Sequence, residues 1–324
     1  MILMDVSNEL AIGIDIGGTN TKYGIVNHRG EILQKGEIKT EQYPAIGTFI
    51  DALYEKLNPV IKSLNKKNVL GIGIGAPNGN FYKGTIEYAP NLKWKGIIPL
   101  AKLMTDKFDL PAALTNDANA AAVGEMMYGA ARGMRDFIMM TLGTGVGSGI
   151  VANGELILGH DGFAGELGHT IVVPGGRLHD GTGMHGSLEV YASATGVART
   201  AVEMMAQFND ESLLKKYSTK EIDSRIVYEC AVKGDVLAKK VYSYTGKILG
   251  EALANFVMFS SPEAIILFGG LTKAGDMIMK PTRENMEKNL LPIFQNKVKL
   301  IFSELKESDA AILGASALVW EMKK

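Results

Sequence analysis

The sequence of 324 residues contains a single cysteine, Cys230. One thiol cannot form an intramolecular disulfide, so the chain is not a disulfide-stabilised secreted scaffold and fits a reducing compartment. Apolar residues make up 46% of the chain, which is ample for sizeable hydrophobic cores. The length is that of about two ordinary domains.

The chain also lacks an excess of either charge, because 34 Lys and Arg residues face 35 Asp and Glu residues. This balance argues against a nucleic-acid-binding surface spread over the whole protein. No apolar run reaches the roughly 18 residues of a membrane span. The first nine residues carry acids early and no basic segment, unlike a signal peptide. We therefore expect a soluble cytoplasmic protein without nucleic-acid or membrane partners.

Glycine, by contrast, is abundant and clustered. Four glycines alternate from Gly143 to Gly149, between a strand-like run at 137–142 and the apolar pair Ile150-Val151. Glycine admits positive φ angles and removes the Cβ that would block a ligand. Successive free N–H groups in such a turn can form an anion-binding nest. Taken alone, the stretch fits a phosphate cradle and an ordinary glycine-rich hairpin equally well.

The N-terminal segment carries a second glycine turn. A strand at 10–16 runs into Gly17-Gly18-Thr19, and strands at 22–26 and 32–38 follow. Asp15 at the mouth of this turn could hold the water shell of Mg²⁺ while Gly17, Gly18 and Thr19 face phosphate oxygens. The alternative is a plain hairpin turn that Asp15 supports.

Two further strand ends stand out. Gly269-Gly270 follow a strand at 264–268 and precede a helix at 276–290, which fits either a nucleotide contact or a tight connection. A short strand at 112–115 delivers Asn116 and Asp117 to a helix at 118–128. Asp117 could simply cap that helix. It could instead be a catalytic base that accepts a proton from a substrate hydroxyl, with Asn116 orienting a sugar ring.

The rest of the chain alternates strands and helices, which indicates an α/β protein. Hydrophobic spacing predicts a buried strand at 69–76 and another at 298–302. The same criterion predicts the remaining helices at 45–64, 100–108, 188–194, 195–208, 212–233, 236–259 and 310–321.

Together the three glycine turns resemble the two phosphate loops and the adenosine loop of the sugar kinase, heat-shock and actin superfamily. Within it, essentially the whole chain is similar to the ROK family of repressors, uncharacterised reading frames and sugar kinases. Six segments carry this resemblance: Asp15-Ile-Gly-Gly-Thr19, Gly73-Ile-Gly-Ala-Pro77, Asn116-Asp-Ala-Asn-Ala-Ala-Ala-Val-Gly-Glu125, Leu142-Gly-Thr-Gly-Val-Gly-Ser-Gly-Ile150, Gly165-Glu-Leu-Gly-His169 and Gly186-Ser-Leu-Glu189.

The resemblance implies an α/β fold of two domains, the actin-like ATPase (ribonuclease H-like) fold, with mixed five-stranded sheets flanked by helices. It implies a smaller N-terminal domain, 1–116 plus 310–324. The larger C-terminal domain, 117–309, would carry the sugar-binding loops and a dimer surface. A homodimer is common in the family, so we expect one here.

The resemblance also implies glucokinase-like activity, the ATP-dependent phosphorylation of a hexose at its 6-hydroxyl. Asp117 matches the catalytic base, and Asp15 would hold Mg²⁺ through water. Sugar ligands would be Asn78, Asn91, Asn116, Asp117, Glu166, His169 and Glu189. Nucleotide contacts would be Asp15, Gly17, Gly18, Thr19, Lys22, Gly143, Thr144 and Gly145 on the phosphate side, and Gly269 and Gly270 on the adenosine side.

Other members of the family leave further functions open. N-acetylglucosamine, N-acetylmannosamine and fructose are alternative substrates, and a non-catalytic sugar-responsive regulator is a remote alternative. Discrimination at the sugar's 2-position would involve Glu189, His169 and the loop at Asn78 and Gly79. We expect room for a bulkier residue at Gly79. The regulator is disfavoured because only nine residues precede the first strand, too few for a helix-turn-helix.

One segment departs from the family pattern. Its kinases usually hold a structural zinc with a His and three Cys, in a Cys-x-Cys-Gly-x-x-Gly-Cys-Leu-Glu run. Here Asp180, Thr182 and Ser187 occupy the cysteine positions, so a Cys₃His site cannot form. A substitute site from His169, His179, Asp180 and His185 can be drawn. Because Thr182 and Ser187 are poor zinc ligands, we expect no structural zinc.

Overall fold

The computed structural model describes residues 9–322. The strands are β1 (Leu10–Ile16), β2 (Asn20–Asn27), β3 (Ile32–Lys39), β4 (Val69–Gly75), β5 (Gly79–Asn80), β6 (Thr85–Glu87), β7 (Ile97–Ile98), β8 (Ala112–Thr115), β9 (Phe137–Leu142), β10 (Val146–Ala152), β11 (Glu155–Leu156), β12 (Ala264–Phe268) and β13 (Lys299–Phe302). The α-helices are α1 (Ile46–Ser63), α2 (Leu100–Phe108), α3 (Asp117–Tyr128), α4 (Glu189–Ala192), α5 (Ala194–Gln207), α6 (Ser224–Val232), α7 (Val236–Ser260), α8 (Asp276–Lys288) and α9 (Ala310–Glu321).

Two five-stranded sheets share one topology. The first has the order β3-β2-β1-β4-β8, and the second has the order β11-β10-β9-β12-β13. In each sheet the first strand in sequence is antiparallel to the next and parallel to the strand on its other side. The predicted mixed five-stranded sheets flanked by helices are therefore confirmed. A small sheet, β5-β6-β7, lies outside both.

Helix α9 packs directly on the first sheet. Gly13 of β1 and Gly73 of β4 are paired in register beneath it. A Cβ on Gly13 would lie 2.1 Å from the Ile312 carbonyl oxygen, and one on Gly73 would lie 1.8 Å from that of Ala315. Only glycine at both positions allows the helix backbone to sit this close to the sheet. The predicted last helix at 310–321 is thus confirmed, and it packs on the first sheet.

Two separate hydrophobic cores support the sheets. One lies between the first sheet and the helices α1 and α2. The other lies between the second sheet and the helices α5 to α8, with α7 at its centre. The helix predicted at 212–233 is wrong in part, because a short 3₁₀ turn at Leu213–Lys216 is followed by α6, which begins after Asp223. The Asp223 carboxylate caps α6 by accepting from the Ile226 N–H at 2.7 Å.

The strand order brings the predicted functional turns together. The carboxyl ends of the parallel strands β1, β4 and β8 share one edge, and those of β9 and β12 share another. The turns at 17–19, 116–117, 143–145 and 269–270 all follow these ends. In open α/β sheets, ligands bind outside the carboxyl ends of strands. Within residues 9–322, no helix is long and apolar enough to cross a membrane.

Candidate active site

A cavity of about 510 Å³ opens where these strand ends meet. It is lined by most of the residues predicted to bind sugar and by two of the three glycine turns. These predicted residues are Asn78, Asn91, Asn116, Asp117, Glu166, Glu189, Gly143, Thr144, Gly145, Gly269 and Gly270. Sequence reasoning did not anticipate Phe268 and Glu307, which also line the cavity. Phe268 ends β12 directly before Gly269, and Glu307 lies shortly before α9, so neither belongs to the six segments that carry the family resemblance.

The glycine hairpin between β9 and β10 is shorter than the sequence suggests. The turn contains only Gly143, Thr144 and Gly145, and it is closed by a hydrogen bond from the Gly143 N–H to the Gly145 carbonyl at 3.0 Å. None of the four glycines from Gly143 to Gly149 adopts a positive φ. Gly147 and Gly149 lie within β10, where a Cβ would meet Ala118 and Ala122 of α3 at 3.0 and 2.8 Å. Their role is therefore to let α3 approach the sheet.

Asn116, and not Asp117, is the N-cap of α3. Its Oδ1 accepts from the Asn119 N–H at 2.6 Å, and the helix begins at Asp117. The alternative in which Asp117 is simply the helix cap does not hold, because the extended backbone and the capping hydrogen bond are both at Asn116. The Asp117 carboxylate accepts from the Ala118 N–H at 2.8 Å. Burial raises the pKa of Asp117, and that hydrogen bond opposes the shift.

Asp15 lies beside Asp117 at the end of β1. Burial, with the Asp117 charge as a second cause, raises the pKa of Asp15 to about 6, while Lys22 opposes the shift. Lys22 is the register partner of Asp15 on β2. Neither residue lines the cavity itself, and the same holds for Gly17, Gly18 and Thr19. This turn adjoins the cavity through Gly18, where a Cβ would lie 2.6 Å from the Asn91 carbonyl oxygen.

Glu166 and His169 face the same side, as their spacing predicts. The short 3₁₀ helix Leu167–His169 brings His169 Nε2 to 3.9 Å from Glu166 Oε2. Burial raises the pKa of Glu166, and the neighbouring charges of Asp117 and Glu189 act in the same direction. Ser148 of β10 holds this loop, because its hydroxyl donates to the Gly165 carbonyl and accepts from the Leu167 N–H.

Glu189 begins α4 and is fixed at both carboxylate oxygens. Its Oε2 accepts from the Val146 N–H at 2.7 Å, directly after the glycine hairpin. Its Oε1 lies 2.5 Å from His179 Nε2. A Cβ on Gly145 would lie 2.4 Å from Glu189 Oε2, so glycine there makes room for the carboxylate. The glycine hairpin and the predicted sugar ligand are therefore one connected unit.

A second cavity of about 610 Å³ adjoins the first, and Asn91, Thr144, Gly145 and Glu189 line both. His169 and His179 line only the second. Its outer wall is the hairpin 178–185, closed by a hydrogen bond from the His179 N–H to the Met184 carbonyl at 2.8 Å.

The expectation that Gly79 leaves room for a larger residue is wrong. A Cβ at Gly79 would lie 2.3 Å from the Thr115 carbonyl oxygen, because β5 passes directly over the end of β8. Asn78 before it adopts a φ of 50°, and its side-chain amide donates to the Glu87 carbonyl at 3.0 Å. The backbone therefore fixes this loop tightly.

The structure does not bring all four residues of the substitute metal site together. Asp180 is exposed, and His185 Nδ1 lies 3.1 Å from the Gly176 carbonyl oxygen. In the described part of the chain, the metal-ligating groups that do meet are His169, His179 and Glu189, with one ligand atom from each within 4.8 Å of the others.

Arg177 is a structural residue that the sequence did not reveal. Its buried guanidinium lies over the ring of Tyr191 at 4.5 Å and donates to the Val190 carbonyl and the Thr200 hydroxyl. It also forms an ion pair with Glu203 at 2.5 Å. This arginine therefore anchors the base of the hairpin 178–185 to α5. Its only signal in the sequence is a lone cation inside a glycine-rich loop.

Comparison with known proteins supports the resemblance read from the motifs. A sequence model described as the ROK family matches residues 11–322. A glucokinase from Halalkalibacterium halodurans is 37% identical over 97% of this chain and 96% of its own. A xylose repressor from Caldicellulosiruptor bescii is 30% identical over 98% of this chain and 80% of its own.

Among solved structures, the chain is similar to a ROK family glucokinase from Streptomyces griseus crystallised in complex with glucose and AMPPNP. The two are 32% identical, the match covers 96% of this chain and 99% of the other, and the TM-score is 0.79.

Proposed function

The chain belongs to the ROK family, and on that premise we propose that it is an ATP-dependent hexose kinase that phosphorylates the sugar 6-hydroxyl. Glucose is the favoured substrate, because the glucokinase relatives match over nearly their whole length. The observation that carries the proposal is the position of Asp117. Its carboxylate lines the same cavity as the glycine hairpin and the amide and carboxylate side chains predicted to bind sugar.

The lining of the cavity offers groups for both substrates. The backbone N–H groups of Thr144 and Gly145, with Gly269 and Gly270, suit phosphate and nucleotide. The carboxylates of Glu166 and Glu189 suit vicinal hydroxyls, because each can accept two charge-assisted hydrogen bonds. Asn78 and Asn91 add amide groups at the same cavity. His169 completes the sugar side from the adjoining cavity.

Asp117 serves as the general base in this mechanism. It takes the proton of the 6-hydroxyl as that oxygen attacks the γ-phosphorus in line, while the bond from the γ-phosphorus to the bridging oxygen breaks and ADP leaves. A pKa raised by burial suits this role, since a base works best when its pKa is near the working pH. Asn116 holds the start of α3 as its N-cap and so fixes the direction of Asp117.

The turn at Asp15 completes the phosphate side. Gly17, Gly18 and Thr19 would contact phosphate oxygens, and Lys22 would supply positive charge beside Asp15. When Mg²⁺ is bound, it neutralises charge on the phosphates, and Asp15 is the carboxylate that would hold its water shell. We propose that 1–116 with 310–324 and 117–309 act as two domains that close on the substrates.

The direct test replaces Asp117 with Asn. The Asn Oδ1 can still accept from the Ala118 N–H, so the helix start is kept while the base is lost. We expect ADP formation with glucose and Mg-ATP to fall about 100-fold or more in kcat. The matched control is Asp223→Asn at the N-cap of α6, away from both cavities, which should leave kcat unchanged. Equal activity of D117N and the wild type would refute the assignment.

A coupled assay that follows the same ADP formation decides among the candidate sugars. Values of kcat/KM for glucose, mannose, N-acetylglucosamine, N-acetylmannosamine and fructose should rank glucose first. A higher value for an N-acetylhexosamine or for fructose would replace glucose in the proposal. Absence of ADP with every sugar, together with tight sequence-specific DNA binding, would instead support a regulator of the xylose-repressor kind.

A further inference from the structure

We propose that His179 is a positioning residue for Glu189. The hydrogen bond between His179 Nε2 and Glu189 Oε1 orients the Glu189 carboxylate for the sugar without a metal ion. The inference rests on the proposed kinase function, in which Glu189 binds a sugar hydroxyl. The pair lies on the wall between the two cavities. Both side chains are largely buried, with exposed fractions of 17% and 19%.

The hydrogen bonds of His179 define its tautomer. Its Nδ1 accepts from the Thr182 backbone N–H at 3.1 Å, a donor that is shared with the His179 carbonyl at 3.2 Å. A neutral imidazole that accepts at one nitrogen carries its proton on the other. The proton therefore sits on Nε2, which donates to Glu189 Oε1 at 2.5 Å. With Val146 N–H on Oε2, each carboxylate oxygen holds one donor and keeps a lone pair for substrate.

The backbone around His179 is closed and leaves little freedom. The His179 carbonyl accepts from the Gly183 N–H at 2.8 Å, and its N–H donates to the Met184 carbonyl. Arg177, two residues earlier, is buried and bonded to α5 through Thr200 and Glu203. Arg177 therefore fixes the backbone that leads into His179, and the tight turn fixes the backbone that follows it. A side chain fixed in this way can orient its partner at low entropic cost.

The same tautomer argues against a metal at His169, His179 and Glu189. A metal at His179 Nε2 needs the lone pair of that nitrogen, so the proton would have to move to Nδ1. It would then face the Thr182 N–H, and two donors would point at each other. At the positions of the family's cysteine ligands, Thr182 and Ser187 offer only hydroxyl oxygens, and Asp180 is exposed. The residues present therefore do not fit the family's zinc.

The experiment compares three variants in the coupled assay. His179→Ala removes the donor, whereas His179→Gln keeps an N–H donor at about the reach of Nε2. His185→Ala is the matched control, an exposed histidine of the same hairpin. For H179A we expect the sugar KM to rise about tenfold or more, with kcat and the ATP KM within about twofold of wild type. H179Q should lie within about threefold of wild type, and H185A should equal it.

Several outcomes would overturn the inference. These are an H179A variant with a wild-type KM, a loss in H179Q as large as in H179A, or a loss in kcat alone. Metal analysis of the purified wild type should find far less than one zinc per chain, and dialysis against EDTA should leave the sugar KM unchanged. One bound zinc, with a KM that rises in EDTA and recovers with zinc, would also overturn it.

A spectroscopic test does not depend on turnover. The ¹⁵N NMR spectrum of the imidazoles, assigned with H179Q, should show His179 protonated at Nε2 and not at Nδ1. The Nδ1-protonated tautomer would overturn the inference even in an active enzyme. If the wild type phosphorylates no sugar while the Nε2–H tautomer is observed, the proposed function fails and the His179–Glu189 contact stands.

Discussion

Replacement of Asp15 with Asn should give a protein whose unfolding free energy, compared with that of the wild type, increases as the pH rises. The variant should also lose activity. The pKa of Asp15 is raised from 3.8 to about 6, chiefly by burial. The folded protein therefore holds this proton more tightly than the unfolded chain does. As the pH rises from about 4 to 6, the unfolded chain loses the proton first, so the contribution of Asp15 to the unfolding free energy falls across this window.

The magnitude follows from the size of the shift. A shift of about two pKa units at about 1.4 kcal/mol per unit amounts to roughly 3 kcal/mol. Asparagine does not titrate, so the D15N variant lacks this penalty. Its unfolding free energy relative to wild type should rise by roughly 2.4 kcal/mol between about pH 4 and pH 7, because a small part of the penalty is already present at pH 4. Any constant cost of burying the amide cancels in that difference.

Urea unfolding at a series of pH values measures the effect directly. The control is Asp106→Asn on α2, whose side chain is 58% exposed, and its difference from wild type should stay within about 0.5 kcal/mol at every pH. A D15N difference that is flat with pH, or that falls as the pH rises, would refute the reasoning. The variant should also lose most kinase activity, because a carboxylate that costs stability is retained for function.

Two other substitutions probe the neighbouring contacts. Gly145→Ala places a methyl group 2.4 Å from Glu189 Oε2, so the sugar KM should rise about tenfold or more, and an unchanged KM in the coupled assay would contradict this. Arg177→Met removes the buried guanidinium and its hydrogen bonds to the Val190 carbonyl and the Thr200 hydroxyl, while Glu203 keeps its ion pair with Arg199. It should loosen the hairpin 178–185 and lower the urea-unfolding free energy by roughly 2 kcal/mol, and a loss under about 0.5 kcal/mol would contradict the anchoring role.

Much of this fold can be predicted because each functional turn is marked locally. The strand before Gly17 and the strand before Gly143 are mostly apolar runs followed directly by glycine, and both lie where the sequence predicts. Such signals depend on the chemistry of neighbouring residues alone. The break before α6 was also marked, since Asp223 is a good N-cap, but the surrounding apolar spacing concealed it.

Contacts between distant segments were not predictable in the same way. The lack of room at Gly79 is set by the Thr115 carbonyl, which a different strand supplies. The link between His179 and Glu189 depends on the turn of an irregular hairpin, and no hydrophobic period specifies that turn. Arg177 likewise gains its role only when α5 packs beside it. The sequence could therefore indicate many of the residues that line the candidate site but not the partners that hold them.

The carboxylates that line the main cavity determine whether ATP could bind there alone or only together with a cation. Four carboxylates line the main cavity, those of Asp117, Glu166, Glu189 and Glu307, while no Lys or Arg of the described chain does so. Glu307 is paired with Lys273, but the other three carboxylates bring negative charge close to the glycine hairpin at 143–145. Free ATP would meet this charge in a poorly screened site. The proposed transfer therefore requires cationic charge that enters with the nucleotide, and the fixed acids then serve the sugar hydroxyls and the departing proton.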